Sequence, residues 1–204
     1  MTATHGFAIF PTAVGTCGIA WSPRGIAGAQ LPEAEDDAAA TLARMAARFP
    51  AGEEALPPPS VQAVIDALVA VLAGTSKDLL LEVPLDDAGV PAFHRRVYDF
   101  ARRIPPGETR TYGEVAAALG SKDLARAVGQ ALGRNPFAPL VPCHRVLAAD
   151  GRPGGFSAPG GALAKLRMLA KEGARPLGTA PLFDELGGSA GRAWRFGLST
   201  PLGA

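Results

Sequence analysis

The chain is poor in cysteine and aromatics, and it has no long apolar run. Its two cysteines, Cys17 and Cys143, are too few for a disulfide framework. The N-terminus, MTATHGFAIF, has no basic stretch followed by an apolar one, so no secretion signal is expected. A cytoplasmic protein is expected instead, with reduced thiols available for chemistry. No run of 18 or more apolar residues occurs, which argues against a membrane-spanning helix. Zinc takes four ligands at recognisable spacings. Cys17, Cys143, His5, His94 and His144 have no paired spacing, so neither a metal nor a cofactor is expected.

What is present is enough apolar residue, 48% of 204, to bury a real core in one medium domain or two small ones. The net charge is only +1, but it is unevenly spread. Residues 1–90 carry 4 Lys/Arg against 11 Asp/Glu, and residues 91–175 carry 14 against 6. A basic half beside an acidic half fits a segment that meets a polyanion. It fits equally a solvated face, or one that docks on the acidic half.

The pattern predicts an α+β protein of two domains. In residues 1–88, apolar stretches at Phe7–Phe10, Cys17–Trp21 and Ile26–Leu31 predict a small antiparallel sheet. A helix is expected over Glu33–Phe49. A second should be capped by Ser60 and end near Gly74, and a further strand should follow at Leu79–Val83. Residues 89–175 read as mostly helical. Ala92–Arg103 puts Phe93, Val97 and Phe100 on one face. Thr111-Tyr112-Gly113-Glu114 has the form of a capping box for a helix running to Leu119. A second helix over Asp123–Leu132 would complete a helix-turn-helix. A last helix over Gly160–Glu172 should bury Leu163, Leu166 and Leu169. Residues 176–204 form a Gly-rich tail without clear periodicity.

The sharpest chemical feature is Pro142-Cys143-His144-Arg145-Val146. A thiol becomes a strong nucleophile when it loses its proton, which a neighbouring base or positive charge assists. A lone cysteine is more often a small buried hydrophobe, and Cys17, inside an apolar strand, fits that description. Cys143, flanked by polar residues after a Pro-rich loop, fits it less well.

The stretch Tyr98–Gly173 resembles the C-terminal domain of the O6-alkylguanine-DNA alkyltransferases, also called methylated-DNA–protein-cysteine methyltransferases. The resemblance rests on Thr111-Tyr112-Gly113-Glu114, Ala125-Arg126-Ala127-Val128-Gly129, Asn135-Pro136, Pro142–Val146, Gly155-Phe156-Ser157 and Glu172-Gly173. The N-terminal part resembles the family's ribonuclease-H-like domain in general pattern only.

The resemblance implies that Cys143 accepts an alkyl group irreversibly, once per molecule. His144 would act as base through a water, and Glu172 would hold His144. Tyr112 would donate a proton to the departing base. Arg126 would fill the gap left by a flipped nucleotide, entering from the minor groove, with Ala125, Ala127 and Gly129 letting that helix lie flat on DNA. Asn135 would pin the turn before the reactive loop. Carbonyls near Cys143 and Val146 would read the guanine amine, and Phe156 and Ser157 would complete the pocket.

The implied partner is double-stranded DNA carrying O6-alkylguanine, and by the same logic O4-alkylthymine, bound by a monomer. Glu172 has independent support, because a carboxylate at a helix C-terminus opposes the dipole. Phe156 and Ala138 depart from the Tyr and Pro common in the family. Ala138 is expected to widen the pocket for groups larger than methyl. A lesion-binding module without chemistry, a transcriptional regulator and a cysteine hydrolase are the alternatives. Retention of Cys143, His144 and Glu172 argues against the first.

Overall fold

Alternation along the first strands organises the N-terminal half. The computed structural model describes residues 5–32, 37–154 and 161–174. In it, β1 (His5–Thr12), β2 (Gly15–Ser22) and β3 (Gly25–Gln30) form an antiparallel meander, as the apolar stretches predict. The short β4 (Gly52–Glu54) lies parallel to β1, giving the order β3-β2-β1-β4. Successive strand residues face opposite sides. Phe7 and Ala20 meet Met45 of α1 (Ala38–Arg48). Phe10, Cys17 and Ile19 join the larger core that includes Ile65 and Leu68 of α2 (Pro59–Leu72). The sheet is therefore covered on both faces. Gly18 allows α1 this close, since a Cβ there would lie 2.6 Å from Met45 Cγ.

Two local expectations for this half are revised, and one falls partly outside the described residues. The acidic start of the first helix, 33–36, lies outside the described residues. The described helix is capped by Asp37, whose carboxylate accepts from Ala40 N at 3.0 Å. Ser60 does not cap α2. Pro59 holds the first helical position, where a missing N–H costs nothing, and no side chain caps the helix. Leu79–Val83 is not a strand. Leu80 has a φ of 53°, and Arg102 Nη2 donates to the carbonyls of Leu80, Leu81 and Val83 at 2.5, 2.9 and 2.9 Å. A guanidinium thus satisfies the backbone that a neighbouring strand would otherwise have paired.

In the C-terminal half, α3 (Ala92–Arg102) buries Val97, Tyr98 and Ala101. The Tyr98 hydroxyl donates to the Ala131 carbonyl at 2.9 Å, tying α3 to α5 (Ala125–Gly133). The capping box forms as read. Thr111 Oγ1 accepts from Glu114 N at 3.1 Å, and Glu114 accepts from Thr111 N at 2.5 Å, starting α4 (Tyr112–Ala118). A single 3-10 turn at Lys122–Leu124 leads into α5.

Two-residue strands β5 (Arg110–Thr111) and β6 (Val146–Leu147) pair in parallel, fixing the start of α4 beside the segment after Cys143. In α6 (Gly161–Lys171), Leu166 and Leu169 are buried as expected. Leu163, at 38% exposure, is not, and Lys165 is buried at 1%. One buried cluster runs continuously from the sheet through α2, α3, α4 and α5 to Cys143. Among the described residues, no helix is long and apolar enough to cross a membrane.

Candidate active site

Cys143 opens a 3-10 turn, Cys143–Arg145, between the Pro-rich loop and β6. The turn aims consecutive side chains in different directions while keeping all three buried. Cys143 itself is 8% exposed. His144 Nε2 lies 2.8 Å from Glu172 Oε1, and both side chains are almost wholly buried. An ionised carboxylate can only accept, so the proton sits on Nε2 and Nδ1 keeps its lone pair.

Arg145 is committed to Glu172. Its Nη2 and Nε donate to Glu172 at 2.7 and 3.0 Å, and its Nη1 donates to the Ile104 carbonyl at 2.6 Å. Proximity in sequence suggested a cation beside the thiol; Arg145 instead braces the carboxylate. Glu172 follows the last residue of α6, and Gly107 N adds a longer contact of 3.4 Å to its Oε2.

The charge states follow from these contacts. Burial pushes His144 below the usual imidazole value, against the pull of Glu172, so the ring is neutral at neutral pH. Burial works to raise Glu172, but His144 and the forked contact with Arg145 hold it at about 2. With His144 neutral, the Arg145 contribution is the one that persists. Burial also pushes the Cys143 thiol up, while the Asn135 amide and the Lys165 ammonium pull it back down.

Lys165 is the residue that sequence reasoning missed. Its Nζ donates to the carbonyls of Val146 at 2.6 Å and Pro153 at 2.7 Å. It also stands 5.7 Å from the centre of the Tyr112 ring, in cation–π range. Burial lowers it to about 8, against the opposing pull of Cys143. The available signal was its place on α6, next to Leu166 and four residues before Leu169.

Tyr112, at the first position of α4, is half-buried, and its hydroxyl is pushed up by burial and then by Cys143. A Cβ on Gly154 would lie 3.3 Å from the Tyr112 hydroxyl, and one on Gly129 would lie 3.9 Å from its ring. Arg126 is exposed on α5 between half-buried Ala125 and Ala127, and Gly129 faces Tyr112. Asn135 braces the reactive loop. Its Nδ2 donates to the Val141 carbonyl at 2.8 Å, and its Oδ1 accepts from Phe137 N at 2.9 Å. The Val146 carbonyl accepts from Lys165. Phe156 and Ser157 lie outside the described residues.

Residues 92–174 match the family profile described as 6-O-methylguanine DNA methyltransferase, DNA binding domain. The methylated-DNA–protein-cysteine methyltransferase of Methanothermobacter thermautotrophicus is 42% identical over 117 residues, a match spanning 57% of this chain and 64% of that protein. The protein of the same name from Mycobacterium tuberculosis is 41% identical over 127 residues, 62% of this chain and 74% of its own length. The crystal structure of M. tuberculosis OGT in complex with DNA superposes with a TM-score of 0.64 at 30% identity, covering 88% of this chain and 99% of that one. A buried cysteine beside a carboxylate-braced imidazole, on a chain with these relatives, makes this protein a member of the methylated-DNA–protein-cysteine methyltransferase family.

Proposed function

We propose that this protein repairs alkylated DNA by transferring the alkyl group from O6 of guanine to Cys143. The observation that carries the reading is the chain of contacts His144–Glu172–Arg145 behind a buried thiol. Neutral His144 takes the thiol proton through Nδ1, by way of a water. The sulfur attacks the alkyl carbon, and a C–S bond forms as the C–O6 bond breaks. The electron pair stays on the guanine. Tyr112 supplies a proton to the base, which leaves neutral. The thioether is not hydrolysed, so each molecule acts once.

O6 lies inside the base stack, where a buried thiol cannot reach it, so the nucleotide must leave the helix. The α4–α5 pair acts as a helix-turn-helix laid along the minor groove. Exposed Arg126 occupies the vacated space. Small residues around it, Ala125, Ala127 and Gly129, keep α5 close to the duplex. The pocket extends to O4-alkylthymine by the same chemistry, and Ala138 gives it room for larger groups. The working unit is a monomer with duplex DNA as its partner; the similar M. tuberculosis structure is of OGT in complex with DNA.

Intact-mass analysis after incubation with an O6-methylguanine duplex tests the reading. One methyl group should appear, on the peptide containing Cys143. Continued demethylation by Cys143→Ala would refute it.

A further inference from the structure

The sequence places the chemistry in the second half of the chain, yet a side chain from the first half reaches the loop that carries it. Arg48 is the last residue of α1, and its side chain is part-buried. Burying a guanidinium is costly unless its donors are satisfied. Here Nη1 donates to the Ala29 carbonyl at 3.0 Å, and Nη2 donates to the Pro136 carbonyl at 2.6 Å, 88 residues away. The same Pro136 carbonyl accepts from Ala29 N at 2.9 Å, and Ala29 bridges to Phe137 in parallel register. The edge of β3 and one arginine thus hold a single peptide group from two directions. The Phe49 ring supports the guanidinium from 5.1 Å, and Gly28 leaves room for both, since a Cβ there would lie 2.6 Å from Phe49 Cζ and 2.9 Å from Arg48 Nη2.

The clamped peptide sits between Asn135 and Phe137. Asn135 uses both ends of its amide, one on Val141 and one on Phe137. Val141 in turn accepts from Cys143 N at 2.8 Å. A continuous path therefore runs from Arg48 through Pro136, Asn135 and Val141 to the backbone of the nucleophile. Separately, the Asn135 amide is among the groups that favour the thiolate.

We infer that Arg48 is a positioning residue for alkyl transfer: the N-terminal half serves the reaction by clamping the Pro136 peptide, which fixes Asn135 and the loop leading to Cys143. The inference rests on the alkyl-transfer reading. It gives the N-terminal sheet a part in the chemistry, distinct from DNA contact, because Arg48 bonds to the reactive loop and not to α5. Misplacing a reacting atom by about 1 Å can cost on the order of a hundredfold in rate, and the clamp works on that scale.

The full-length chain is compared with Arg48→Met, Arg48→Lys and Gly28→Ala, the last crowding the guanidinium without altering the C-terminal half. Three quantities are measured well below the unfolding temperature. They are the single-turnover transfer rate at saturating O6-methylguanine duplex, the affinity for that duplex in a Cys143→Ala background, and hydrogen exchange at Phe137 and Val141. Arg48→Met should slow transfer by about tenfold or more, leave affinity within about twofold, and speed exchange at both amides. Arg48→Lys should recover part of the rate, and Gly28→Ala should fall in between. A folded Arg48→Met that transfers at the wild-type rate would overturn the inference. So would equal losses in rate and affinity, or unchanged exchange. A wild-type chain that never alkylates Cys143 would instead sink the alkyl-transfer reading, with the exchange measurement still deciding whether Arg48 clamps the loop.

Discussion

Glu172 has two side-chain partners of different kinds, and their effects can be separated by measurement. Its bond to His144 sets the tautomer, and its bonds to Arg145 keep it ionised. Glu172→Gln keeps the shape but can present an N–H to Nε2, so the ring loses its free Nδ1 lone pair. The single-turnover transfer rate should fall on the order of a thousandfold, with affinity for the methylated duplex unchanged. The same substitution tests stability. The carboxyl titrates at about 2 in the fold against an ordinary value of 4.5. A depressed carboxylate stabilises the fold fully above its unfolded value, and that stabilisation disappears as pH falls through the folded one. The wild-type advantage over Glu172→Gln in urea unfolding should be largest near neutral pH and shrink as pH falls from 4.5 toward about 2.

Lys165 allows a second titration argument. The groups acting on the Cys143 thiol include Asn135 and Lys165, with Tyr98 and Tyr112 also within electrostatic reach. Lys165 is charged below about 8 and loses its proton above it. Its support for the thiolate is therefore present on the acid side. Lys165→Met should transfer about tenfold more slowly at pH 7. The gap from wild type should narrow as pH rises past 8. A pH–rate profile with parallel curves for the two proteins would refute that role.

Among the elements, α4 is short and depends on its start. Thr111 and Glu114 satisfy each other's backbone donors, and β5 pairs Thr111 with Leu147. Thr111→Ala removes one hydrogen bond at the N-cap and should cost about 1 kcal/mol of stability in denaturant unfolding. Tyr112 is the next residue, so the same change should also lower the transfer rate. In α5 the buried side carries Val128, Ala131 and Leu132, while Arg126 points outward. Arg126→Ala should slow repair in duplex DNA by about tenfold or more, yet leave the reaction with the free base O6-benzylguanine unaffected. Equal losses on both substrates would mean that Arg126 acts on folding and not on flipping.

On the scale of the whole molecule, charge is segregated along a chain whose core is continuous. Residues 91–175 hold 14 of the 20 Lys/Arg, and residues 1–90 hold 11 of the 19 Asp/Glu. Arg145 is committed to Glu172, and Arg102 to backbone carbonyls. DNA affinity must therefore come from the remaining exposed cations. Affinity should fall with salt, with a log–log slope corresponding to a few phosphate contacts and well short of the total basic count. Arg126→Ala should reduce that slope by no more than about 1.

The sequence by itself determined the parts whose interactions are local. The hairpin strands follow from short apolar stretches, α4 from its capping box, and the adjacency of Cys143 and His144 from the chain. Glu172 could be singled out because it offends the dipole of its own helix and because it completes a known pattern. The tertiary structure decided everything that depends on distant partners. It turned Arg145 toward Glu172, 27 residues on, where its position in sequence suggested the thiol. It buried Lys165 by satisfying the ammonium with two carbonyls, whereas periodicity reads a lysine as solvent-facing. It replaced the expected strand at Leu79–Val83 with an arginine-capped loop, and it brought Arg48 to Pro136. Periodicity reports which face of an element is apolar. It carries no information about which polar groups meet across the fold, and that pairing sets the charge state and aim of each side chain around Cys143.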